Sequence, residues 1–408
     1  MGGYILKGRV IDGNGGAPIA HGVVVTEDGK ITHVCPESDF RTDADLPVIE
    51  IENGTIMPGL IDCHTHLASI GLMPAEIFMK PKYDSFLETV RDARALLMAG
   101  FTSAREMGEF GPYLKRGIAK GLIPGPKLFV GSKLISSTGG HGDICTQLDW
   151  DYVQKQHTTS RLADGVDECL KAVRMNFREG ADFIKTCSTG GVFSSGDEID
   201  SIEYSMPELR VMVEEAERHG TYVASHSIGT QGIRNALEAG VKSIEHGVFL
   251  DDYCIELMVK NDCTHCPTQS ILHIVVENLG EVPEHVARKA QEAVQGYVNS
   301  VQLSKKAGVR IVFGTDYLGG ESDLMAFGKQ GREFIALTDA GLTPMEAIQA
   351  ATKNASHVIK KEKEVGTLER GKTADVIIVD GNPLEDISIL ANPENVRIIL
   401  QDGLIVKQ

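Results

Sequence analysis

The chain opens with short β-prone runs instead of helical periodicity. Tyr4-Ile5-Leu6 leads to Val10-Ile11-Asp12-Gly13, and Val23-Val24-Val25 meets Lys30-Ile31-Thr32-His33-Val34 across Asp28-Gly29. Asp-Gly between two β-prone runs is a strong hairpin signal, since both turn residues tolerate positive φ. The same pattern returns at the far end. Asp375-Val376-Ile377-Ile378-Val379, Val396-Arg397-Ile398-Ile399-Leu400 and Leu404-Ile405-Val406 read as strands, with Asp402-Gly403 as a turn. The two ends are predicted to form one small composite β-sandwich, residues 1–57 with 358–408. A larger domain, residues 58–357, is inserted between them.

Within the insert, apolar strand patterns alternate with amphipathic helices. Capping boxes are predicted at Ser85-Phe86-Leu87-Glu88, Ser205-Met206-Pro207-Glu208 and Thr343-Pro344-Met345-Glu346, the last with Pro at the first helical position. Gly100, Gly180, Gly240 and Gly308 each follow an amphipathic stretch and precede an apolar one, where helix-ending glycines fall. Strands are predicted at 59–64, 101–107, 127–135, 182–186, 222–226, 243–246, 264–268 and 310–314. These eight β-then-α units, in roughly 300 residues, have the size of a barrel. The predicted fold class is α/β, a (β/α)8 TIM barrel with a small β-sandwich built from both termini.

Composition narrows the function classes. Of 408 residues, 42% are hydrophobic and 24% charged, as in a soluble globular protein, and no apolar run has the length of a membrane-spanning helix. A net charge of −17 argues against nucleic acid, whose phosphates need clustered Lys and Arg. The eight scattered cysteines suit a reducing cytoplasm, and the first residues lack the charged-then-apolar plan of a signal peptide, so a cytoplasmic location is expected. Cys263-Thr264-His265-Cys266 has no second Cys pair of matching spacing and reads as buried strand thiols.

The candidate chemistry begins at Met57-Pro58-Gly59-Leu60-Ile61-Asp62-Cys63-His64-Thr65-His66. Positions i and i+2 of a strand share a face, so His64 and His66 can reach one metal ion. In a barrel the chemistry sits at the C-terminal strand ends. Read in order, those ends carry His64 and His66, then Glu106, the loop with His141, then Lys185, His226, His246 and Asp316. Alone, His226 or His246 reads as a core histidine and Asp316 as a helix cap; the gathering at one rim carries the signal. Lys185 stands in a predicted buried strand, where an unpaired ammonium is costly. Residues 188–204, with Gly190 and Gly191, form a polar loop of the kind that covers barrel mouths or simply connects.

At these residues the chain resembles the amidohydrolase superfamily, in its binuclear-metal branch. The resemblance runs through His64-Thr65-His66, Phe183-Ile184-Lys185-Thr186-Cys187, Ala224-Ser225-His226, Ile244-Glu245-His246-Gly247 and Phe313-Gly314-Thr315-Asp316. Within it the chain looks most like the Xaa-Pro dipeptidase and arginine carboxypeptidase-like group, related to imidazolonepropionase, through Thr138-Gly139-Gly140-His141-Gly142-Asp143, Ser188-Thr189-Gly190-Gly191-Val192 and Asp380-Gly381-Asn382-Pro383-Leu384. The resemblance implies two divalent metal ions, zinc first among them. His64, His66 and Asp316 would hold one ion, and His226 and His246 the other, with Lys185 carboxylated as the bridge. It implies hydrolysis of an amide bond of a dipeptide or N-acyl amino acid by a metal-bridging hydroxide. Asp316 would shuttle the proton, and His141 would stabilise the oxyanion or orient the substrate, with Gly190 and Gly191 beside it. It also implies a homo-oligomer.

One departure affects substrate choice. Relatives often carry an aromatic or imidazole residue two positions after the strand-5 histidine, where this chain has Ile228. That favours a bulkier or less polar leaving group, and keeps a mycotoxin-type amide or a carbamate open as substrate. A cyclic amide hydrolase is disfavoured, because that group lacks the strand-4 lysine. A non-enzymatic scaffold is disfavoured by the complete ligand set.

Overall fold

The run Val376-Ile377-Ile378-Val379 is apolar at every position, and its place in the fold explains why. The computed structural model describes residues 2–42, 45–67, 80–144, 146, 148–153, 160–319 and 325–408. In chain order, β1 (Gly3–Val10), β2 (Ile19–Glu27), β3 (Lys30–Pro36) and β4 (Val48–Pro58) come first. Then come β5 (Leu60–Thr65), β6 (Phe101–Glu106), β7 (Lys127–Val130), β8 (Leu134–Ser136), β9 (Ser160–Leu162), β10 (Ile184–Cys187), β11 (Val223–Ser227), β12 (Ser243–His246) and β13 (Thr264–Cys266). β14 (Val376–Asp380), β15 (Val396–Gln401) and β16 (Leu404–Lys407) close the chain.

β14 lies antiparallel between β4 and β15 in a seven-stranded sheet of order β16-β15-β14-β4-β1-β2-β3. Val376 and Ile378 pack with Leu6, Val24 and Ile56, while Ile377 and Val379 pack with Leu60, Leu97 and Phe101. A strand buried on both faces has no polar side, hence the unbroken run. Both expected hairpins form. Asp28 and Gly29 have φ of +48° and +80°, and Asp402 and Gly403 +52° and +76°, the double positive φ of a type I′ turn. The expected sandwich strands thus join into a single sheet drawn from both ends of the chain.

The insert's strands run parallel, in a three-stranded sheet β5-β6-β7 and a six-stranded sheet β13-β12-β11-β10-β8-β9. Asp182 N–H donates to Val130 O (2.7 Å) where the two sheets meet on one side. On the other side, residues 310–317 connect them. His265 N–H donates to Arg310 O, Cys63 N–H to Phe313 O (both 2.9 Å), and Asp316 N–H to His64 O (2.8 Å). The predicted strand 310–314 is therefore extended backbone with isolated bridges, since Phe313 N–H leaves the ladder for Ala350 O. The predicted strand 127–135 divides into β7 and β8, because Ser132 takes φ +58°, which extended pairing does not accommodate.

The boxes at Ser205/Glu208 and Thr343/Glu346 form at their helix starts. The one at Ser85/Glu88 does not. That helix, Lys82–Met98, begins directly after Pro81, leaving Ser85 inside it, and the Glu88 carboxylate accepts instead from Lys80 (3.0 Å). Parallel strands of common direction leave their C-terminal residues on one rim, and there the candidate residues gather.

Candidate metal centre

β5 brings His64 and His66 to the rim, and the backbone after Thr315 brings Asp316. Asp316 Oδ1 lies 3.3 Å from His64 Nε2 and 3.1 Å from His66 Nε2, and the two ring nitrogens are 3.3 Å apart. Two nitrogen lone pairs and a carboxylate oxygen converging this closely are a donor set suited to a divalent cation. Burial alone would raise the Asp316 carboxyl, but facing His64 and His66 holds it well below the usual carboxylate range.

A buried layer behind these residues aims them. His64 Nδ1 lies 2.8 Å from Glu245 Oε2. A carboxylate only accepts, so Nδ1 carries the hydrogen and Nε2 is left free to ligate. Arg105 Nη2 donates to both Glu245 oxygens at 2.7 Å, and both side chains are fully buried. Burial would raise the Glu245 carboxyl; Arg105 and His64 outweigh it and hold it low. His64, Glu245 and Cys266 also approach one another. Arg105 already occupies both carboxylate oxygens, and burial pushes the Cys266 thiol well up, so this second group is a support and not a ligand set.

The second group of candidates shows the same logic. His226 Nε2 lies 3.1 Å from Gly190 O, which can only accept, so Nδ1 keeps its lone pair. His246 Nδ1 is tied to Thr268 Oγ1 (2.6 Å), leaving Nε2. The rings of His64, His246 and His226 follow one another at centroid distances of 5.1 and 4.5 Å. Burial above all holds the His226 and His246 imidazoles well down, at His246 against the pull of Asp316, which favours the neutral form that binds metal. Lys185 is 2% exposed in β10, and among the described residues its amine has no hydrogen-bond or ion-pair partner. Two of these positions have strained backbone: His246 has φ +69° and Asp316 +59°, conformations that cost a non-glycine residue about 1–2 kcal/mol.

His141 stacks on His226 with centroids 4.1 Å apart. Its backbone N–H donates to Glu203 Oε1 (2.7 Å), and burial pushes its imidazole down to about 4. Gly190 and Gly191 lie on the adjoining loop. A Cβ at Gly191 would come within 2.2 Å of the His141 ring, and one at Gly190 within 2.2 Å of Glu198 O, so both glycines permit close approach. Ile228 is buried in an apolar cluster with Val192, Ile199 and Val248, and its N–H donates to Thr189 Oγ1 (2.9 Å). Glu106 lies behind β5, accepting from Thr65 Oγ1 and Leu67 N–H, both at 2.8 Å.

The expected rim residues thus come together, while Arg105, Glu245, Thr268, Ser194, Asp197 and Lys289 were not singled out beforehand. Glu245 and Arg105 did leave a signal: each is a charged residue inside a predicted strand, where burial requires a partner.

A model of the amidohydrolase family matches residues 55–406. The chain is 31% identical over 436 aligned residues to ochratoxinase of Aspergillus niger, spanning 99% of this chain and 86% of that one. The crystal structure of that ochratoxinase superposes with a TM-score of 0.89, covering 100% of this chain and 96% of the other. A prolidase complexed with N-methylphosphonate-L-proline gives 0.91 at 31% identity, and a Xaa-Pro dipeptidase with methionine bound in its active site gives 0.89 at 29%, each covering 100% of both chains. With the family match spanning most of its length and relatives of this kind end to end, the chain belongs to the amidohydrolase family, in its dipeptidase-like group.

Proposed function

We propose that this chain is a metal-dependent hydrolase that cleaves the amide bond of a dipeptide or an N-acyl amino acid. The observation that carries the reading is the convergence of His64 Nε2, His66 Nε2 and Asp316 Oδ1 on one another at 3.1–3.3 Å. We propose His64, His66 and Asp316 as holders of one divalent ion, and His226 and His246 as holders of a second. Zinc is the ion we favour, from the imidazole-rich donor set. Lys185 would join as a carbamate: its amine, which has no partner among the described residues, would add to CO2 in its neutral form and release a proton, giving an anion with two oxygens to share.

Such ions, when bound, supply a Lewis acid for the substrate carbonyl and lower the pKa of water from ~16 towards ~7. The remaining work falls to the chain. Asp316 takes the proton of the attacking water at its carboxylate and delivers it to the leaving nitrogen. Glu245 and Arg105 keep His64 aimed, and His141 meets the substrate from the side of the loop. The domain division at 57/58 and 357/358, closure of the parallel strands into a (β/α)8 barrel, a cytoplasmic location and a homo-oligomeric state belong to the same proposal. The hydrogen bonds joining the two parallel sheets on both sides support the closure.

A mycotoxin-type amide is the second reading of the substrate, favoured by the full-length relationship to ochratoxinase and by apolar Ile228 after β11. One experiment tests both. Metal content of the purified protein is measured beside hydrolysis of Xaa-Pro, Xaa-Arg and Xaa-Phe dipeptides, N-acyl amino acids and a mycotoxin amide. About two metals per chain, with release of a C-terminal amino acid that a chelator abolishes, is the expected result and names the leaving group. Turnover confined to the mycotoxin amide selects the second reading. Absence of metal, with no turnover after zinc is restored, would falsify both.

A further inference from the structure

The loop after β10 is held by a side chain from a distant helix. Lys289, on the helix Glu284–Ala307, is 1% exposed. An ammonium has three N–H donors, and each has an acceptor on this loop: Gly191 O, Ser194 O and Asp197 Oδ1, all at 2.9 Å. Asp197 is buried with it, and its other oxygen accepts from Gly191 N–H (3.3 Å). The loop is thereby a fixed shelf, and its far edge is in contact with His141.

That contact runs through Ser194. Its hydroxyl donates to Asp197 Oδ1, and His141 Nδ1 lies 3.0 Å from the same Ser194 Oγ. A hydroxyl has one proton to give. A carboxylate is a stronger acceptor than an imidazole nitrogen, or than the Gly191 carbonyl 3.2 Å from Ser194 Oγ. With that proton committed to Asp197, Ser194 Oγ can only accept from His141. Nδ1 then carries the ring hydrogen, and Nε2, which has no partner among the described residues, is left with a lone pair.

We propose that Lys289, Asp197 and Ser194 are positioning residues that fix both the place and the tautomer of His141, with the ring hydrogen held on Nδ1 and Nε2 left as the nitrogen free to serve the reaction. The effect on rate rests on the amide-hydrolase reading; the tautomer does not.

The test uses the metal-loaded full chain, labelled with 15N-histidine, in long-range 1H–15N correlation spectra. The His141 signals are assigned by their loss in His141→Gln. Wild type is expected to show the Nδ1–H pattern. Ser194→Ala, which removes one oxygen, and Asp197→Asn, which removes the carboxylate acceptor, are expected to shift His141 to Nε2–H or a mixture. Metal content should stay at the wild-type level and KM should change little, while kcat falls by about tenfold or more, the usual scale for losing a residue that orients another. An Nε2–H pattern in wild type overturns the proposal, as does either variant keeping both the wild-type tautomer and kcat. A shifted tautomer with unchanged kcat removes the role in the reaction. If wild type turns over no amide at all, the hydrolase reading fails and the spectra alone decide the tautomer.

Discussion

Glu106 ends β6 with one carboxylate oxygen bonded to Thr65 and Leu67 and the other buried near the Gly108 backbone N–H. Burial pushes its carboxyl up to about 7, against those hydrogen bonds. The folded chain therefore keeps a proton that the unfolded chain releases near pH 4.5. Stability contributed here is present below that pH and is lost as pH rises towards 7. The free energy of unfolding is expected to fall between pH 5 and 7, by on the order of 1.4 kcal/mol per pH unit at the steepest, with the melting temperature following it, and Glu106→Gln to flatten the fall. A Glu106→Gln protein with the wild-type slope would contradict the assignment. Glu245→Gln leaves Arg105 buried and uncompensated, which costs about 3–5 kcal/mol. Chemical denaturation should register that loss, and Arg105→Met added to it should recover part. Gly191→Ala forces a methyl into the His141 ring while Lys289 holds the loop still. Turnover is expected to collapse with metal content retained; wild-type kcat would show that the ring has room to move.

Among elements, local chemistry was legible where it acts within a few residues. The Asp-Gly hairpins formed because positive φ at two adjacent positions is a demand of the turn itself. Gly240 and Gly308 end helices with φ of +103° and +73°. At Thr343 the hydroxyl accepts from Glu346 N–H (3.3 Å) and Glu346 Oε2 from Thr343 N–H (2.7 Å). Thr343→Ala is expected to cost about 1 kcal/mol in urea unfolding, with the m-value unchanged. Ser85 carried the same spacing and failed, because Pro81 starts the helix earlier and Lys80 claims Glu88. Strands 127–135 and 310–314 were readable as apolar runs but not as interrupted ones. Their breaks come from Ser132 φ and from a hydrogen bond to Ala350, which no local pattern encodes.

For the whole molecule, the proposed metal centre joins segments that are more than a hundred residues apart, His64 with Asp316 and Arg105 with Glu245. Ions bound only by the folded chain stabilise it by mass action, about 2.7 kcal/mol at a hundredfold excess over Kd. Chelation is expected to lower the melting temperature and abolish turnover, and zinc to restore both. A melting temperature indifferent to chelator would separate the cluster from any ion.

The sequence by itself determined the alternation of strands and helices, the pairing of the two chain ends, and the gathering of ligand-type residues at strand ends. Period, turn chemistry and residue type are local properties and survive in one dimension. Tertiary structure alone decided the aim of each side chain. In β12, Ile244 packs outward among the helices while Ser243 and Glu245 bond to each other. Strict alternation would send His246 the way of Ile244. Its left-handed φ takes it out of the alternation and into line with His64 and His226. The same holds for Arg105 under Glu245 and Lys289 under the loop, both charged groups whose burial depends on partners far along the chain. A buried charge is tolerated only where its counter-charge arrives, and that is settled when the chain has folded.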